Sequence, residues 1–355
     1  MGAILVLNAG STSLKLYVVS TDTDSERLRS LDDVDPAAVE AVAHRIVHGG
    51  DRFPGPVLVD DHVRADLEQL ESLAPLHNTF AIKELDEARR RFPSLPHVAV
   101  FDTTFHATIP AAAATYAVPR RWREEWGVRR YGFHGLSVAW SAQRAPQVVG
   151  RAQSPLRQVV CHLGGGSSVT AVVDGRSVDT TMGFTPLEGV PMATRSGSVD
   201  PGALVAVLRR SGMDADALDH ALNEESGMRG LAGGDGLMLE LERHAAAGDA
   251  AAELAVDVFV HRLAGAVAAM AAAAGGIDVL VFTAGIGERS EHVRERVCER
   301  LAFLGIVIDT RRNAAAEPDC DVAATDSAVR VAVIRAREEL VAARAARAVL
   351  GARPA

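Results

Sequence analysis

The sequence predicts an α/β protein made of two related domains with a cleft between them. The main observation is a pair of similar segments, one in each half of the chain, which read LNAGSTSLKL at Leu7–Leu16 and HLGGGSSVT at His162–Thr170. Each follows a short apolar run and leads into another, which is the pattern of a strand, a Gly/Ser turn and a second strand. Apolar strands elsewhere alternate with segments of helical apolar spacing. A hairpin that occurs twice indicates a duplicated domain.

The two Gly/Ser turns favour anion binding. Glycines let the backbone turn sharply and approach a ligand closely, and serine hydroxyls and backbone N–H groups suit a negative charge. Neither segment fits the Walker pattern or the dinucleotide fingerprint, because each turn leads to a strand rather than a helix. Either turn alone could be an ordinary β-turn, whereas two that face each other would hold a polyphosphate from both sides.

Composition sets limits on partners and compartment. The 355-residue chain is 48% hydrophobic and 23% charged, as in ordinary globular proteins, and its net charge of −9 argues against nucleic acid as a partner. The three cysteines have no metal or redox spacing, which suits a reducing compartment. No basic and apolar leader is visible, so we expect a cytoplasmic protein. Charged residues interrupt the apolar stretch Leu254–Gly276, which we interpret as a buried helix rather than a membrane span.

The first half contains signals for strands, helices and a domain boundary. The predicted elements are strands Ala3–Leu7 and Leu16–Val19, an acidic surface loop Thr21–Asp35, a helix Asp60–Leu73, a helix capped by Asn78, a buried strand His97–Phe101 and a helix from Ser137. Asp102 follows the buried strand, at the end where α/β folds place their sites. The polar stretch Pro146–Pro155 predicts the boundary, and the expected domains are 1–148 and 149–339.

The second half repeats the strand, turn and strand. Its further predicted elements are a long helix Ala250–Ala274, strands Val279–Phe282 and Val329–Ile334, and a last helix Glu338–Leu350. Between them, Thr283–Glu288 predicts a turn before a helix. N–H groups exposed at such a turn suit an anion or nucleotide, so Gly285, Ile286 and Gly287 are candidate nucleotide-binding residues.

Several segments, taken together, resemble the acetate kinase family of acetate and propionate kinases. They are LNAGSTSLKL, HRIVHGG from His44, LAPLHN from Leu73, VFDTTFH from Val100, RRYGFHG from Arg129, HLGGGSS from His162, MGFTPLEG from Met182, TRSG from Thr194 and FTAGIGE from Phe282. They run in family order over almost the whole chain. The resemblance implies duplicated ribonuclease H-like (actin-like ATPase) domains, with the last helix, about 340–355, packed back on the first domain. It also implies a homodimer formed through the second domain.

The family reaction is a reversible, Mg²⁺-dependent phosphoryl transfer from ATP to acetate. An ionised acid needs no general base, but it must approach an anionic phosphoryl group, so cations and hydrogen-bond donors must dominate the site. By resemblance, Arg45 and Arg195 bind the acetate carboxylate and the transferred phosphoryl group, and His134 hydrogen-bonds that group in the transition state. Asp102 and Glu338 match the metal-linked carboxylates, and Glu339 remains an alternative to Glu338.

The resemblance implies further contacts with the nucleotide, the metal and the acyl group. The residues that would contact phosphate or organise the metal site are Asn8, Ser11 and Ser13, with Lys15 on the same side of the strand. Other cofactor-binding candidates are His77, His162, Gly164, Gly165 and Gly166. The residues that match the family's methyl pocket are Val47, Leu76, Phe133 and Pro186. Such a pocket discriminates one methylene by only about 1–3 kcal/mol, so we expect both acetate and propionate to be substrates.

The chain departs from the family pattern on the nucleoside side. Gly165 stands where the family commonly has asparagine, and Leu237 and Leu239 stand where an aspartate and an arginine usually meet the nucleoside. A ribose hydroxyl cannot hydrogen-bond to leucine, although Asp235 could partly substitute.

Several hypotheses about the function follow from these departures. One is a re-formed pocket that still takes ATP, and another is a different phosphate donor, such as another nucleoside triphosphate or pyrophosphate. A non-catalytic nucleotide or phosphate clamp is a further alternative, which retention of the transfer residues disfavours. A sugar kinase would need a carboxylate base, and no suitable motif supplies one.

Overall fold

Two six-stranded sheets form the frame of the protein. The computed structural model describes residues 2–10, 14–70 and 75–351, with only the backbone described at 75–77. The strands of the first sheet are β1 (Ala3–Ala9), β2 (Leu14–Val19), β3 (Ser25–Leu28), β4 (Val39–Ile46), β5 (Val57–Leu58) and β6 (His97–Phe101). The strands of the second are β7 (Arg157–Leu163), β8 (Ser167–Val173), β9 (Arg176–Thr180), β10 (Val279–Thr283), β11 (Cys320–Asp321) and β12 (Arg330–Ile334).

The two sheets have the same topology. Their strand orders are β3-β2-β1-β4-β6-β5 and β11-β12-β10-β7-β8-β9, which coincide when the second is read in reverse. In each sheet, three antiparallel strands come first, ending at β1 or β7. Two strands parallel to β1 or β7 follow, and a short antiparallel strand forms the edge. The predicted duplication of an α/β unit is therefore confirmed.

Helices cover the faces and ends of the sheets. They are α1 (Asp61–Gln69), α2 (Pro75–Arg91), α3 (Ala111–Ala114), α4 (Arg120–Trp126), α5 (Gly135–Val149), α6 (Pro201–Ser211), α7 (Ala215–Glu224), α8 (Gly227–Ala232), α9 (Met238–Ala246), α10 (Ala250–Ala273), α11 (Ala284–Arg289), α12 (Glu291–Arg300), α13 (Thr310–Ala314) and α14 (Glu338–Gly351).

Two helices cross between the halves of the chain. Helix α5 belongs to the first half but packs on β7, β10 and β12, and α14 comes from the end of the chain but packs on β1, β4 and β6. The helices also contact each other, and one apolar cluster contains residues of both helices and both sheets. The sheets are therefore joined through a shared core. The division into domains 1–148 and 149–339 remains a prediction, which the strand content of each sheet supports.

Helix α10 is the most apolar helix of the described chain. By length and composition alone it could cross a membrane, with half of its most apolar window buried. Its buried face, including Phe259 and Leu263, belongs to the main core cluster of the second half. It packs on β7 and β8, which is the behaviour of the buried core helix predicted from the sequence.

Three sequence predictions are wrong in detail. The loop predicted for Thr21–Asp35 contains strand β3, whose polar residues pair with β2 through backbone hydrogen bonds. The polar boundary predicted at Pro146–Pro155 begins inside α5, which continues to Val149. The turn predicted at Thr283–Glu288 is itself helical, because Ala284 turns the backbone with a φ of 64° and starts α11 directly.

Asn78 does not cap a helix, contrary to the prediction. Helix α2 begins at Pro75, whose fixed φ suits the first turn of a helix. The buried Asn78 amide instead binds the backbone of His48, accepting from its N–H at 3.1 Å and donating to its carbonyl oxygen at 3.1 Å. The residue therefore satisfies a buried loop rather than the end of its own helix.

Buried neutral histidines occur in the first half. His44 on β4 and His97 on β6 are 2.9 Å apart between Nε2 and Nδ1, and burial lowers the pKa of both. His106 contacts Ser177 Oγ at 2.9 Å and the carbonyl oxygen of Phe133 at 2.8 Å, and burial lowers its pKa to about 4. These rings are uncharged in the folded protein near neutral pH.

We predict that the protein loses stability as the pH falls below about 6.5. The unfolded chain then binds protons at histidines that the folded chain keeps neutral, so stability is complete above the unfolded pKa and declines toward the folded one. His106 alone contributes up to roughly 3 kcal/mol by pH 4. Urea denaturation midpoints from pH 7.5 to 4.5 measure this loss.

His62 provides the matched control, since its side chain is 86% exposed. The variant His62→Gln should show the same pH dependence as the parent. A denaturation midpoint that stays constant between pH 7 and 5 would contradict the prediction.

Candidate active site

A cavity of about 520 Å³ lies between the two halves and contains most of the predicted site residues. Those that line it are Lys15, Arg45, Val47, Asp102, Phe133, His134, His162, Gly164, Gly165, Gly166, Pro186, Arg195, Gly285 and Glu338. Residues from both sheets and from α14 therefore meet at one place.

The first sheet positions a polar group at the carboxyl ends of its parallel strands. Asn8 on β1 pairs in register with Arg45 on β4. Asp102 follows β6 directly, and its N–H donates to the carbonyl oxygen of Ile46 at 3.1 Å. Polar side chains at this edge of a sheet are brought together by the strand topology itself.

Arg45 is the centre of a buried charge network. Its guanidinium binds the Asp102 carboxylate through two hydrogen bonds, at 2.9 Å from Nε and 2.7 Å from Nη2. Its Nη1 donates to Glu338 Oε2 at 2.8 Å and to Asn8 Oδ1 at 2.7 Å. The Asn8 amide also donates to Glu338 Oε2 at 2.8 Å. One cation thus joins three strand ends and the start of α14, in the bidentate geometry that suits arginine.

The structure distinguishes between the two candidate glutamates of α14. Glu338 lines the cavity. Glu339 points away from it and accepts from Arg337 at 2.7 Å and from Ser25 at 3.1 Å. Burial raises the pKa of Glu338, but Arg45 and other donors outweigh it and lower the pKa overall, so this carboxyl is ionised. Burial, opposed by Arg45, raises the pKa of Asp102.

These oxygen donors suit a divalent cation that is shared with a ligand. Asp102, Glu338 and Asn8 offer two carboxylates and an amide, all within reach of one positive centre. In the described part of the chain, no group of three or more His, Cys, Asp or Glu residues could hold a metal alone. Mg²⁺ commonly takes only one or two carboxylates and completes its shell with phosphate oxygens and water, so the set fits this ion.

The backbone at His134 directs its ring toward the cavity. His134 is the N-cap of α5 and has a left-handed conformation, with φ 58°, which is uncommon outside glycine and recurs at functional sites. The next residue fixes this turn. Gly135 N–H donates to the carbonyl oxygen of Asp102 at 3.0 Å, and a Cβ at Gly135 would lie 2.0 Å from that oxygen. Only glycine permits this approach.

Two stacked imidazoles form one side of the cavity. The rings of His134 and His162 are 4.0 Å apart at their centroids, with 20° between their planes. Ser168 Oγ is 3.0 Å from Nδ1 of His134, and Ser137 Oγ is 2.8 Å from Nδ1 of His162. Burial is the main cause of the low pKa values, well below the ordinary value for His134 and about 4 for His162. Both rings are neutral, and if each serine donates to Nδ1, each Nε2 carries a proton.

The glycine turn of the second hairpin brings Arg195 close to His134. A Cβ at Gly166 would lie 3.2 Å from Nε2 of His134 and 3.7 Å from Nη1 of Arg195. The backbone of Arg195 is held by its carbonyl oxygen, which accepts from Met192 N–H at 3.0 Å. Burial lowers the pKa of Arg195, opposed by Glu224, but arginine remains charged. Cations and neutral imidazoles therefore border one shared space.

Apolar side chains form a small pocket beside these polar groups. Val47 and Phe133 pack with Met182 and Met192 in a separate buried cluster. Val47, Phe133 and Pro186 also line the cavity. The predicted pocket is thus adjacent to the charged groups, as a short carboxylic acid would require.

Some predicted site residues lie elsewhere. Ser11 and Ser13 are outside the described residues, as are the side chains of Leu76 and His77. Asn8 is buried behind Arg45. Ile286 and Gly287 do not line the cavity; the first packs against the core, and a Cβ at the second would meet the backbone of Phe282 at 3.2 Å. The three residues of the altered nucleoside segment are exposed and do not line the cavity: Asp235, Leu237 and Leu239.

Sequence reasoning missed several residues of the site. Ser137 and Ser168 orient the two histidines; Ser168 lies in the HLGGGSS segment, where its alternation with Ser167 on β8 was a usable signal. Glu288 and Arg289 also line the cavity. Glu288 Oε1 accepts from the N–H of Ala336 at 2.9 Å, a contact between distant segments that no local pattern reveals.

Comparison with known proteins agrees with this geometry. A profile of the Acetokinase family matches residues 32–344. A relative from Gloeobacter violaceus named acetate kinase is 45% identical over 311 residues, which are 87% of this chain and 76% of the relative.

Solved structures are similar over nearly the whole chain. A propionate kinase from Francisella tularensis has a TM-score of 0.89 and 34% identity, covering 97% of this chain and 99% of its own. The acetate kinase of Porphyromonas gingivalis has a TM-score of 0.88 and 32% identity, covering 99% of this chain and 100% of its own. The expectation of duplicated actin-like ATPase domains is confirmed. The chain belongs to the acetate kinase family.

Proposed function

We propose that this protein is an acetate kinase that transfers a phosphoryl group reversibly between ATP and acetate, giving acetyl phosphate and ADP. The observation that carries the proposal is the convergence of Arg195, His134 and Arg45 on one cavity beside a small apolar pocket. Family membership supports the same reaction.

The carboxylates of the cavity favour an acid as acceptor rather than a hydroxyl. Asp102 and Glu338 are paired with Arg45, and Glu288 accepts from a backbone N–H. Within the described lining, no carboxylate is left without a partner to act as a general base. A sugar hydroxyl would need such a base, whereas acetate arrives already ionised.

The site residues lower the electrostatic barrier between two anions. Arg195 would neutralise charge on the carboxylate and the phosphoryl group, since guanidinium groups bind oxyanions bidentately. The neutral His134 would donate from Nε2 to a phosphoryl oxygen without being consumed as an acid. Val47, Phe133 and Pro186 would hold the methyl group and so direct the carboxylate toward the donor. We propose direct in-line transfer, with closure of the cleft excluding water.

We propose that Mg²⁺ acts with the nucleotide and is held by Asp102, Glu338 and Asn8. When bound, the ion would neutralise charge on the donor phosphates. Arg45 balances the charges of the Asp102 and Glu338 carboxylates. Once a bound cation balanced these charges instead, the Arg45 guanidinium would be able to bind substrate. The glycine turn at Gly164–Gly166 and the start of α11 at Gly285 would surround the phosphates.

Propionate is a second acceptor that the structure supports. The pocket is apolar, and the similar structure from Francisella tularensis is described as a propionate kinase. A non-catalytic phosphate clamp is disfavoured, because it would not need the set of transfer residues. We also propose a cytoplasmic location, which suits three free cysteines.

We propose a homodimer formed through the second half of the chain. Helix α6 carries apolar residues throughout its length, yet none of its residues is buried, and the same holds for α7. Val205 and Val207 on α6 are 45% and 43% exposed. Exposed apolar side chains on such helices favour association.

The purified protein should form acetyl phosphate from acetate and ATP, and Arg195→Ala should abolish this activity. Removal of a clamping arginine costs about three to five orders of magnitude in rate. Trapping of acetyl phosphate as its hydroxamate measures the rate, and circular dichroism checks the fold. The control is Arg176→Ala, which changes an exposed arginine outside the cavity. Parent-like kcat in Arg195→Ala would remove the arginine from the mechanism.

Enlarging the acyl pocket should change the preferred acid. In Val47→Ala, kcat/KM for propionate and butyrate relative to acetate should rise about tenfold, because the removed methyl groups leave room for a longer chain. Rates with the three acids give these ratios. Ala substitution at Val199, an exposed residue outside the cavity, should leave them unchanged. Unchanged ratios in Val47→Ala would show that this side chain does not limit the pocket.

The protein should be a dimer in solution, and the double variant Val205→Glu/Val207→Glu should be a monomer. Charges placed on an apolar interface are costly because they lose water without gaining partners. Size-exclusion chromatography with light scattering measures the mass. Phe303→Glu, an equally apolar and 76% exposed site away from α6, is the control and should stay dimeric. A monomeric parent protein would disprove the proposal.

A further inference from the structure

Arg289, the last residue of α11, is a cation of the cleft that the reaction described above does not use. It lines the central cavity and also a neighbouring cavity of about 590 Å³. Its guanidinium folds back over the start of its own helix, where Nη2 would lie 2.9 Å from a Cβ at Gly285. The side chain is exposed and thus stands at the mouth of the cleft, where the two cavities meet.

The guanidinium of Arg289 has no paired carboxylate in the described part of the chain. Across the described residues, its guanidinium takes part in no hydrogen bond and no ion pair. Of the carboxylates near it, Glu288 accepts from the N–H of Ala336, and Glu242 accepts from the hydroxyl of Ser290. Glu253 and Glu291 also line the neighbouring cavity, and neither forms an ion pair with Arg289. Asp257 in the neighbouring cavity pairs with Arg296. A guanidinium that has no ion-pair partner and lies beside a glycine turn is available to bind an anion.

Lys15 is a second cation of the same kind. It lies on β2, opposite Asn8 in the hairpin register, is exposed and lines the central cavity. It also has no ion pair with any residue in the described ranges. Together, Lys15 and Arg289 place positive charge on the first hairpin and on α11, which border the cavity from different halves of the chain.

The segment next to the glycine turn offers no comparable contact for a sugar or a base. A Cβ at Gly236 would lie 2.2 Å from the carbonyl oxygen of Ala193, whose N–H donates to the carbonyl oxygen of Gly165 at 3.4 Å. This packing holds Gly236 beside the glycine turn, and two exposed leucines follow it in the chain. They are Leu237, 49% exposed, and two positions later Leu239, 80% exposed. Neither side chain can hydrogen-bond to a ribose hydroxyl or a base edge.

We propose that Arg289 binds a phosphate group of the donor, and that this enzyme selects its donor by the polyphosphate chain rather than by the nucleoside. The inference rests on the proposed acyl kinase function and names the class of donor for that site. Loss of one charge-assisted contact to phosphate weakens binding of every donor alike, whereas loss of a base contact weakens one donor only. Nucleoside triphosphates of different bases should therefore serve about equally, and inorganic tripolyphosphate should bind in the same cavity.

The test uses the full-length protein with Mg²⁺, acetate and one donor at a time. The donors are ATP, GTP, CTP, UTP and sodium tripolyphosphate, and the product is acetyl phosphate trapped as its hydroxamate. We expect kcat/KM to agree within about tenfold among the four nucleotides. In Arg289→Gln, the KM for each nucleotide should rise about tenfold, while the KM for acetate stays unchanged. Arg289→Lys should recover part of this loss, because it restores the charge without the planar fork.

Arg243→Gln is the matched control, since Arg243 is an exposed arginine on the nearby helix α9 that does not line either cavity. It should leave every KM at the parent value. Competition by tripolyphosphate against ATP, measured in the parent and in Arg289→Gln, adds a binding readout. The inhibition constant should rise by the same factor as the nucleotide KM.

The outcomes separate this inference from the proposed function. No acetyl phosphate with any donor, and no ATP from acetyl phosphate and ADP, would overturn the acyl kinase function itself. Activity with a preference above a hundredfold for one nucleotide would leave that function intact and overturn the inference. An unchanged nucleotide KM in Arg289→Gln, with activity retained, would also overturn it.

Discussion

The site depends on the buried ion network around Arg45. The carboxylates of Asp102 and Glu338 would repel each other in this buried environment. Burial of either one without a cation would cost several kcal/mol. The Arg45 guanidinium makes their proximity possible by contacting Asp102, Glu338 and Asn8 together. Because these residues come from β1, β4, β6 and α14, the same contacts that prepare the chemistry also fix the ends of the first sheet relative to the last helix. The contacts that balance the buried charges are therefore also the contacts that hold these elements together.

Neutral donors complement the charged network. His134 and His162 lie near several arginines, and burial keeps their rings uncharged. Each ring is held by a serine hydroxyl, and the left-handed backbone at His134 aims one of them at the glycine turn. Both histidines are therefore already neutral when two anions enter the cavity, and neither has to lose a proton first. Preorganised donors of this kind stabilise developing charge because they do not have to reorient during the reaction.

The sequence was informative where local chemistry determined the structure. The Gly/Ser turns, the strand end at Asp102 and the family motifs predicted most of the residues that line the cavity, because glycine and strand patterns act over a few residues. Prediction failed where a distant partner decided the outcome. Strand β3 is polar and forms because β2 offers backbone hydrogen bonds. Asn78 serves a loop rather than a helix end, and the position of Arg289 at the cleft mouth follows from the packing of α11.

The exchange of α5 and α14 between the sheets affects how this protein can be synthesised. On the ribosome, the strands of the first sheet emerge early, but helix α14, which covers one of their faces, emerges only after every strand of both sheets. Helix α5 in turn must wait for β7, β10 and β12 before its apolar side is covered. The nascent chain therefore carries uncovered apolar surface until α14 has been synthesised. Neither half can complete its core before α14 has emerged, and a chain that stops before α14 leaves both unfinished.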